Sequence, residues 1–412
     1  MKIQEKEISA YEKEYQDTLA QMKKAVPPYK EVSLLMKAVE KHFSLDNISK
    51  RHPKVIVLGS GIPEELIYAL DIRPYWILGG SLQTGAWAGD MAPRDADPVS
   101  RSMLGTLLGL EHLSHDALVL LPIVSDSTRK LAYLLRRAGW KVHTIDIPPV
   151  KSEWAEKEYV RQIELCAEAI SNHTGKRLTR RALRESAELA AEARQEMRRF
   201  LQITDEKPNL LSAPWRMLIL FSFYCVGNIR RWTELLAKLN ERMAADRVYR
   251  RSESSGDVLL MGSPVYFPNY KIPFLLQDAG LRIRKHLDYT TEKFLHAPAP
   301  EDARYMTLTD LAVQFYQTDC SGAYAKNDTL QEAVANALSD GDISGVVYCV
   351  LKGQIEYDFE LERVETLCNE LNIPVFRLET DYNQQDVEQL RIRMEAFSEM
   401  LRQRQYQRGV AV

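Results

Sequence analysis

Apolar residues in the first third of the chain form short continuous runs, separated by stretches with helical spacing. Val55–Leu58 is such a run, which ends at Gly59-Ser60-Gly61 and is followed by a helical pattern that begins near Pro63. Similar runs predict further strands at residues 75–78, 117–122 and 141–145. Alternating strands and helices are typical of a parallel α/β domain, here over residues 51–150.

The apolar runs return in the last third of the chain. Residues 258–261 form a run that ends at Gly262-Ser263-Pro264, much as the first strand ends at a Gly-Ser turn before a proline. Further runs at 282–285, 345–350 and 374–378 alternate with helical patterns, the last of which covers 386–404. We therefore expect a second, related α/β domain over residues 256–412.

Two other regions carry only helical periodicity. Residues 1–50 show it in two stretches, which Pro27 and Pro28 separate because proline cannot continue a helix. Residues 151–255 show it most clearly over 179–201, where alanines and leucines alternate with arginines and glutamates. The sequence therefore predicts an α/β protein with two doubly wound parallel-sheet domains, an N-terminal helical arm and a helical insert.

Length and composition restrict the class of protein. The 412 residues exceed the roughly 250–300 that one core can hold, which agrees with two domains. The 54 basic and 57 acidic residues give a net charge of -3, which excludes a protein that mainly binds nucleic-acid phosphates. We find no signal peptide or membrane-spanning stretch and expect a cytoplasmic protein. The five cysteines form no C-x-x-C pair, so we expect buried, reduced thiols.

The turn after the first strand matches only part of a dinucleotide-binding fingerprint. Gly59 and Gly61 are present, but the third glycine is missing, and Glu64 and Glu65 open the helix where they would repel a pyrophosphate. The sequence also contains no G-x-x-x-x-G-K-[ST] loop, so ATP hydrolysis by that route is excluded. Two isolated histidines, His286 and His296, are expected at the surface.

Polar side chains follow two of the predicted strands, at the edge where parallel sheets place their ligands. Asp97, Ser100 and Arg101 come after a glycine-rich stretch, residues 85–91, which is expected to be a loop. Ser125 and Asp126 directly follow the third predicted strand. Serine and aspartate are also favoured helix caps, so this pattern fits structural caps as well as a ligand site.

Several stretches, in consistent order, resemble one known family. They read G-S-G-I-P-E-E-L-I-Y-A-L-D-I-R-P from Gly59, D-P-V-S-R-S-M-L-G from Asp97, S-D-S-T-R-K-L from Ser125 and G-V-V-Y-C-V-L-K-G-Q-I-E-Y-D-F-E from Gly345. With G-S-P at Gly262 and a similar C-terminal part, they resemble the 2-hydroxyacyl-CoA dehydratase and benzoyl-CoA reductase subunit family over roughly residues 50–405. The resemblance implies two flavodoxin-like domains with a helical region, and a dimer.

The resemblance also implies iron–sulfur chemistry, for which this chain lacks the ligands. Members of the family bind a [4Fe-4S] cluster through three cysteines and act as two-subunit enzymes with an ATP-dependent activator that supplies an electron. The matching positions here are Asp97, Ser125 and Gln354, while Cys320 and Cys349 are offset from them. Because clusters are held by thiolates, we predict no cluster and no other metal in this chain. Its expected partner is a cluster-bearing homologous subunit or a second copy of itself.

Three functions remain open at this point. The first is a cluster-free subunit that acts in substrate binding or assembly beside a [4Fe-4S]-bearing partner, with an acyl-CoA as candidate ligand. The second is a diverged stand-alone protein that uses the former cluster pocket for a small ligand or for acid/base chemistry. The third is a scaffold without chemistry of its own.

The candidate site is a cleft between the two domains. We expect it to be formed by the turn at residues 59–65, the loop at 85–101 and the loop at 262–269, because each follows a predicted strand at its carboxyl end. The candidate catalytic residues are Ser60, Glu65, Asp97 and Asp126. The candidate substrate-binding residues are Gly59, Gly61, Ser100, Arg101, Ser125, Ser263 and Gln354.

Overall fold

A computed structural model describes residues 3–246, 254–288, 303, 306–339 and 341–407. Within these ranges the strands form two four-stranded sheets in which every pairing is parallel. The first sheet has the order β2-β1-β3-β4, with strands β1 (Val55–Leu58), β2 (Tyr75–Ile77), β3 (Leu118–Ile123) and β4 (Lys141–Asp146). The second has the order β6-β5-β7-β8, with strands β5 (Gly256–Gly262), β6 (Leu281–Leu287), β7 (Gly345–Leu351) and β8 (Val375–Thr380).

The two sheets share one strand order, and this order positions the site. In each sheet the chain runs from the first strand to one neighbour and then crosses to the other side. The reversal leaves a crevice at the carboxyl ends of β1 and β3, and a second one at the carboxyl ends of β5 and β7. Strands β1, β3 and β7 are buried along their whole length, as expected for parallel sheets covered on both faces. The predicted α/β fold with two flavodoxin-like sheets is confirmed.

Helices surround the sheets and form the arm and the insert. The arm contains α1 (Glu5–Lys23), α2 (Lys30–Phe43) and α3 (Leu45–Arg51). The first sheet carries α4 (Glu64–Ala69), α5 (Leu82–Trp87), α6 (Pro98–Gly109) and α7 (Asp126–Arg137). The insert contains α8 (Glu153–Thr174), α9 (Arg180–Glu206), α10 (Ala213–Phe221), α11 (Phe223–Val226) and α12 (Ile229–Ala245). The second sheet carries α13 (Lys271–Asp278), α14 (Leu308–Thr318), α15 (Asp328–Ser339), α16 (Ile355–Glu370) and α17 (Val387–Gln407).

The N-terminal arm is tied to both halves of the molecule by specific hydrogen bonds. The carboxylate of Glu14 on α1 accepts from the Ser81 hydroxyl and from the backbone N–H of Leu82 at 2.8 Å, so it caps the start of α5. On the other side, the Thr18 hydroxyl donates to the carbonyl of Pro268 at 3.0 Å, in the loop after β5. The arm therefore fixes the first turn of α5 and the second sheet's connecting loop relative to each other.

Two expectations from the sequence are wrong, and the expectation of five buried cysteines is confirmed. The glycine-rich stretch does not start as a loop, because Ser81 accepts a hydrogen bond from the N–H of Thr84 at 3.1 Å and starts a helix that includes Gly85. His286 is buried rather than exposed, because helices pack on β6, and its Nε2 lies 3.2 Å from Asp288 Oδ2. His296 lies outside the described residues. The five cysteines are buried free thiols, as expected. The helices in the described ranges include none with the length and apolarity needed to span a membrane.

Candidate functional site

The carboxyl ends of the two sheets meet around one small cavity of about 30 Å³. The first sheet contributes the turn after β1 and the end of β3, and the second sheet contributes the segments after β5 and β7. The described lining includes, from these four places, Gly59, Ser60, Gly61, Val124, Ser125, Pro264, Tyr266 and Gln354. The crevices that the strand order creates in each sheet therefore face each other, and a single site is built from both.

Three helices begin at this cavity, and the residues that directly precede them are the three positions that the family resemblance singled out. Asp97 precedes α6, Ser125 precedes α7 and Gln354 precedes α16. The hydroxyl of Ser125 accepts from the N–H of Thr128 at 3.3 Å, which is an ordinary helix cap. Positions 257 residues apart in the chain, Asp97 and Gln354, are thus brought into contact at one point.

Asp97 is the most highly bonded side chain of the site. Its carboxylate accepts from the N–H groups of Val99 at 3.0 Å and Ser100 at 3.1 Å, and from the Ser100 hydroxyl at 2.6 Å. The side-chain amide of Gln354 donates to the same carboxylate at 2.9 Å, so this bond links the two sheets. Burial raises the pKa of Asp97, while these hydrogen bonds act in the opposite direction.

Gly353 allows the second sheet to approach Asp97 this closely. Its φ is +86°, in the left-handed region that glycine adopts at little cost. A Cβ at this position would lie 3.0 Å from the backbone nitrogen of Asp97 and 3.2 Å from the carbonyl oxygen of Asp95. The backbone after β7 therefore packs directly on the backbone that leads into α6, and the Asp97–Gln354 bond forms next to this contact.

Glu356 completes the site and was missed from the sequence. It lines the same cavity in the first turn of α16, and burial raises the pKa of its carboxyl to about 7, with smaller contributions from Asp97 and Asp126. A Cβ on Gly322 would lie 2.8 Å from Glu356 Cγ, so this glycine makes room for the side chain. A carboxyl with such a pKa can take up or release a proton near neutral pH. The available signal was its place, two residues after Gln354 at the carboxyl end of a strand.

Two buried polar atoms of the cavity lining have no hydrogen-bond partner among the described residues. They are the hydroxyl oxygen of Ser60 and the side-chain carbonyl oxygen of Gln354. Ser60 can donate and accept a hydrogen bond, and the Gln354 carbonyl can only accept. Since 30 Å³ is space for one or two water molecules, the cavity as it stands fits a very small polar group.

Glu65 was predicted to act in the cleft, but the structure places its carboxylate elsewhere. It is buried on α4 and forms an ion pair with Arg194 of α9, which also donates to Glu64 at 2.9 Å. Burial raises the pKa of Glu65, and the guanidinium of Arg194 acts against this effect. The ion pair joins α9 of the helical insert to α4 of the first sheet, and the second carboxylate oxygen of Glu65, Oε2, is buried without a hydrogen-bond partner among the described residues.

The remaining predicted residues surround the cavity without lining it. The guanidinium of Arg101 donates to the carbonyls of Arg94 at 2.7 Å and Gly85 at 3.0 Å, and so braces the segment before α6. The hydroxyl of Ser263 accepts from the N–H of Leu351 at 2.9 Å and ties the turn after β5 to the end of β7. Asp126 is exposed at the start of α7. The cavity thus brings together Gly59, Ser60, Gly61, Asp97, Ser100, Ser125 and Gln354 from the predicted set.

Comparisons with known proteins identify the family of this chain. A sequence model of the family described as 2-hydroxyglutaryl-CoA dehydratase, D-component, matches residues 60–401, which is most of the chain. The chain belongs to this D-component family. It is 22% identical over 360 residues to the beta subunit of (R)-2-hydroxyglutaryl-CoA dehydratase from Acidaminococcus fermentans, covering 82% of this chain and 90% of that protein. It is 21% identical over 266 residues to the beta subunit of (R)-phenyllactyl-CoA dehydratase from Clostridium sporogenes, covering 62% and 67%.

The site of this D-component protein does not fit the cluster that the resemblance implies. Asp97 and Gln354 bond to each other, Ser125 caps α7, and none of the described residues that line the cavity carries a thiol. Across the described ranges, no group of three His, Cys, Asp or Glu side chains could hold a metal ion. A [4Fe-4S] cluster requires thiolate ligands and far more space than 30 Å³. The donor set is suited to hydrogen bonding and proton transfer.

Proposed function

We propose that this chain is the cluster-free subunit of a 2-hydroxyacyl-CoA dehydratase or benzoyl-CoA reductase-like system. In this system it acts in substrate binding or assembly beside a homologous subunit that carries the [4Fe-4S] cluster, and an ATP-dependent activator serves that partner. One observation carries the proposal. The three helix starts of the site bear a carboxylate, a hydroxyl and an amide that are engaged in hydrogen bonds, at the positions where the resemblance implies thiolate ligands.

The comparisons support a role in a larger enzyme. The two relatives are named as the beta subunits of (R)-2-hydroxyglutaryl-CoA dehydratase and (R)-phenyllactyl-CoA dehydratase, and the family match, residues 60–401, includes strands of both sheets. A subunit whose own crevice is closed by the Asp97–Gln354 bond leaves the electron-transfer chemistry to its partner. Its own contribution is then a rigid surface made by two sheets, with a small polar cavity at their junction.

Anaerobic co-expression with neighbouring genes tests this proposal. The chain carries an affinity tag, and the complex is recovered and divided into subunits before iron and acid-labile sulfide are measured. We expect a cysteine-bearing homologous subunit to copurify and to hold about four irons, while the separated tagged chain holds none above background. About four irons on the tagged chain itself, together with thiolate-to-iron absorbance, would contradict the cluster-free role.

A second function is favoured by one feature, the carboxyl of Glu356. It has a pKa of about 7 and lies in the same cavity as Asp97 and the unpartnered hydroxyl of Ser60. This arrangement suits acid/base chemistry on a small polar ligand in a protein that works alone. A stable, colourless homo-oligomer that recovers no partner, and that binds small carboxylic acids in a way that Glu356→Gln abolishes, would favour this function over the first.

A further inference from the structure

A second cavity, of about 540 Å³, lies at the opposite edge of the first sheet. Arg51 and Arg73 precede β1 and β2, so this cavity is at the amino ends of the strands, whereas the site described above is at their carboxyl ends. Helices α2 and α3 and the first turns of α12 complete its walls. Five cationic side chains line it, and we call this set the basic groove: Lys37, Lys41, Arg51, Arg73 and Arg231.

The basic groove is unusual in its charge. Its lining, as far as the structure describes it, contains no aspartate or glutamate, although the whole chain has a net charge of -3. None of the five cations forms an ion pair with a described carboxylate, whereas many other exposed lysines and arginines of this protein do. Like charges gathered in one concave surface repel each other, and a bound anion would relieve this repulsion.

The guanidinium of Arg51 occupies a defined place in the wall of the groove, next to Gly227. It donates to the carbonyl of Pro74 at 3.3 Å and lies directly against Gly227, where a Cβ would be 2.5 Å from Nη2. The absence of a side chain at Gly227 therefore leaves the space that the guanidinium occupies. Burial and the neighbouring Arg73 lower the pKa of Arg51, which is the direction expected for a cation that lacks a negative partner.

The groove continues into a neighbouring cavity of about 700 Å³. The two cavities share Arg51 and Arg73, and the second adds Lys54 and Lys141 to the same edge of the sheet. Acidic residues are present only in this second part, where Lys176 already pairs with Asp71 at 2.9 Å. Positive charge is thus concentrated where the two cavities join, at Arg51 and Arg73.

We propose that the basic groove is a binding site for a small phosphate-rich anion of the size of a nucleoside diphosphate. Phosphate oxygens are the acceptors that arginine binds with two parallel hydrogen bonds, and lysine adds charge without strict geometry. Two partly exposed apolar side chains of the same wall, Leu34 and Leu235, provide a surface for an uncharged part of the ligand. A nucleic acid would need a longer basic stripe, and the net charge of -3 argues against one.

This site lies apart from the cavity at Asp97, on which the proposed function rests. The four residues of β1 lie between the basic groove and Ser60, and at about 3.3 Å per residue they span about 13 Å. The two cavities share no described residue. The phosphates of a ligand bound in the groove therefore do not contact the cavity at Asp97. Failure of one assignment leaves the other unaffected.

Calorimetric titration of the full chain tests the assignment with three probes: pyrophosphate, ADP and coenzyme A. The test variant is Lys41→Ala/Arg231→Ala, which removes two exposed groove cations. The matched control is Lys30→Ala/Arg230→Ala, which removes two exposed cations from the same helices outside the groove. Thermal unfolding of both variants shows whether they fold as the unmodified chain does.

We expect at least one probe to bind at one site per chain, with affinity that falls as salt is raised above about 0.1 M. The test variant should lose about tenfold or more in affinity and the control should lose little. If pyrophosphate binds as tightly as ADP, the groove recognises the phosphates alone. If ADP or coenzyme A binds more tightly than pyrophosphate, the apolar side chains of the wall also contact the ligand. The assignment is wrong if no probe saturates, or if both variants bind as the unmodified chain does.

Discussion

Asp97 shows how one side chain can hold a junction that the resemblance assigns to a metal cluster. Its carboxylate satisfies two orphan N–H groups at the start of α6 and also accepts from Ser100 and Gln354. No cation contacts it within the described part of the chain, so the helix N-terminus and neutral donors stabilise the charge. The Asp97 carboxylate accepts four hydrogen bonds, one of them from the second sheet, and therefore links the two sheets without a metal.

We predict that Asp97→Ala destabilises the protein by about 1.5–5 kcal/mol. About 0.5–2 kcal/mol comes from the lost helix cap, and about 1–3 kcal/mol from leaving the buried amide of Gln354 without an acceptor. Asp97→Asn is the matched control, since asparagine also caps helices and retains one acceptor oxygen, and it should cost about 1 kcal/mol. Urea unfolding followed by circular dichroism measures both. Equal stability of Asp97→Ala and the unmodified chain would show that the bond between the sheets contributes nothing.

The raised pKa of Glu356 predicts that the stability of the folded protein falls as the pH rises. This pKa is raised from 4.5 to about 7 in the folded protein, so the folded state holds the proton more tightly than the unfolded state does. This contribution to stability is complete below about pH 4.5 and is lost as pH rises through about 7, amounting to as much as about 3 kcal/mol. Glu356→Gln should therefore unfold with a flatter pH profile between about pH 4.5 and pH 8. The exposed Glu362→Gln on the same helix should keep the original profile.

At the scale of helices and strands, the sequence identifies what is encoded locally. Strands β1, β3 and β7 could be predicted because they are continuous apolar runs between turn residues. The sequence predicts a loop from Gly85 because glycines weaken a helical pattern, but the first three residues of this stretch belong to α5, whose start is capped by Ser81 and by Glu14 on the distant arm. A local sequence pattern cannot indicate a hydrogen-bond partner that lies about 70 residues away in the chain.

The same limit explains what could be predicted of the site. Asp97 and Ser125 were predicted because polar side chains gather after two predicted strands, whereas Gln354 was predicted only because its position matches the resemblance. Glu65 satisfied the same local rule, but its partner Arg194 lies in another region, so only the structure separates its role from theirs. Glu356 was overlooked because its pKa depends on burial between segments and not on its neighbours in sequence.

The helical insert and the first sheet are joined by a buried charge cluster, which gives a prediction at this scale. Arg194 on α9 is 9% exposed and contacts Glu64 and Glu65 on α4, both of which are almost fully buried. Arg194→Met should destabilise the protein by about 3–5 kcal/mol, because it leaves two buried carboxylates without their cation. Thermal and urea unfolding measure the loss.

Two further variants distinguish lost charge from lost packing at this cluster. Arg194→Met/Glu64→Gln/Glu65→Gln removes all three charges and should recover most of the stability, since a neutral group of similar volume avoids the unpaired charge. Arg184→Met, at an exposed position of the same helix, should change stability by less than about 0.5 kcal/mol. If the triple variant is as unstable as Arg194→Met, packing and not charge is what the arginine supplies.

At the scale of the whole molecule, the arm, both sheets and the insert form one connected framework. Thr18 reaches the loop after β5, Arg194 fixes α9 on α4, and the Asp97–Gln354 bond closes the junction between the sheets. Each of these contacts joins segments that are distant in sequence. We therefore expect the small polar cavity at the junction of the two sheets to keep one shape when the chain associates with its proposed partner.

The last prediction concerns that association. The proposed subunit role and the family resemblance both imply a dimer in solution, and we expect one for this chain. Light scattering after size exclusion, with the chain at micromolar concentration, should give twice the mass of one chain when it is expressed alone, or the sum of two different subunits after co-expression. Asp97→Asn serves as a control, because it should keep the helix cap at α6 and leave the mass unchanged. A single-chain mass in both preparations, with no partner recovered, would contradict both the dimer and the subunit role.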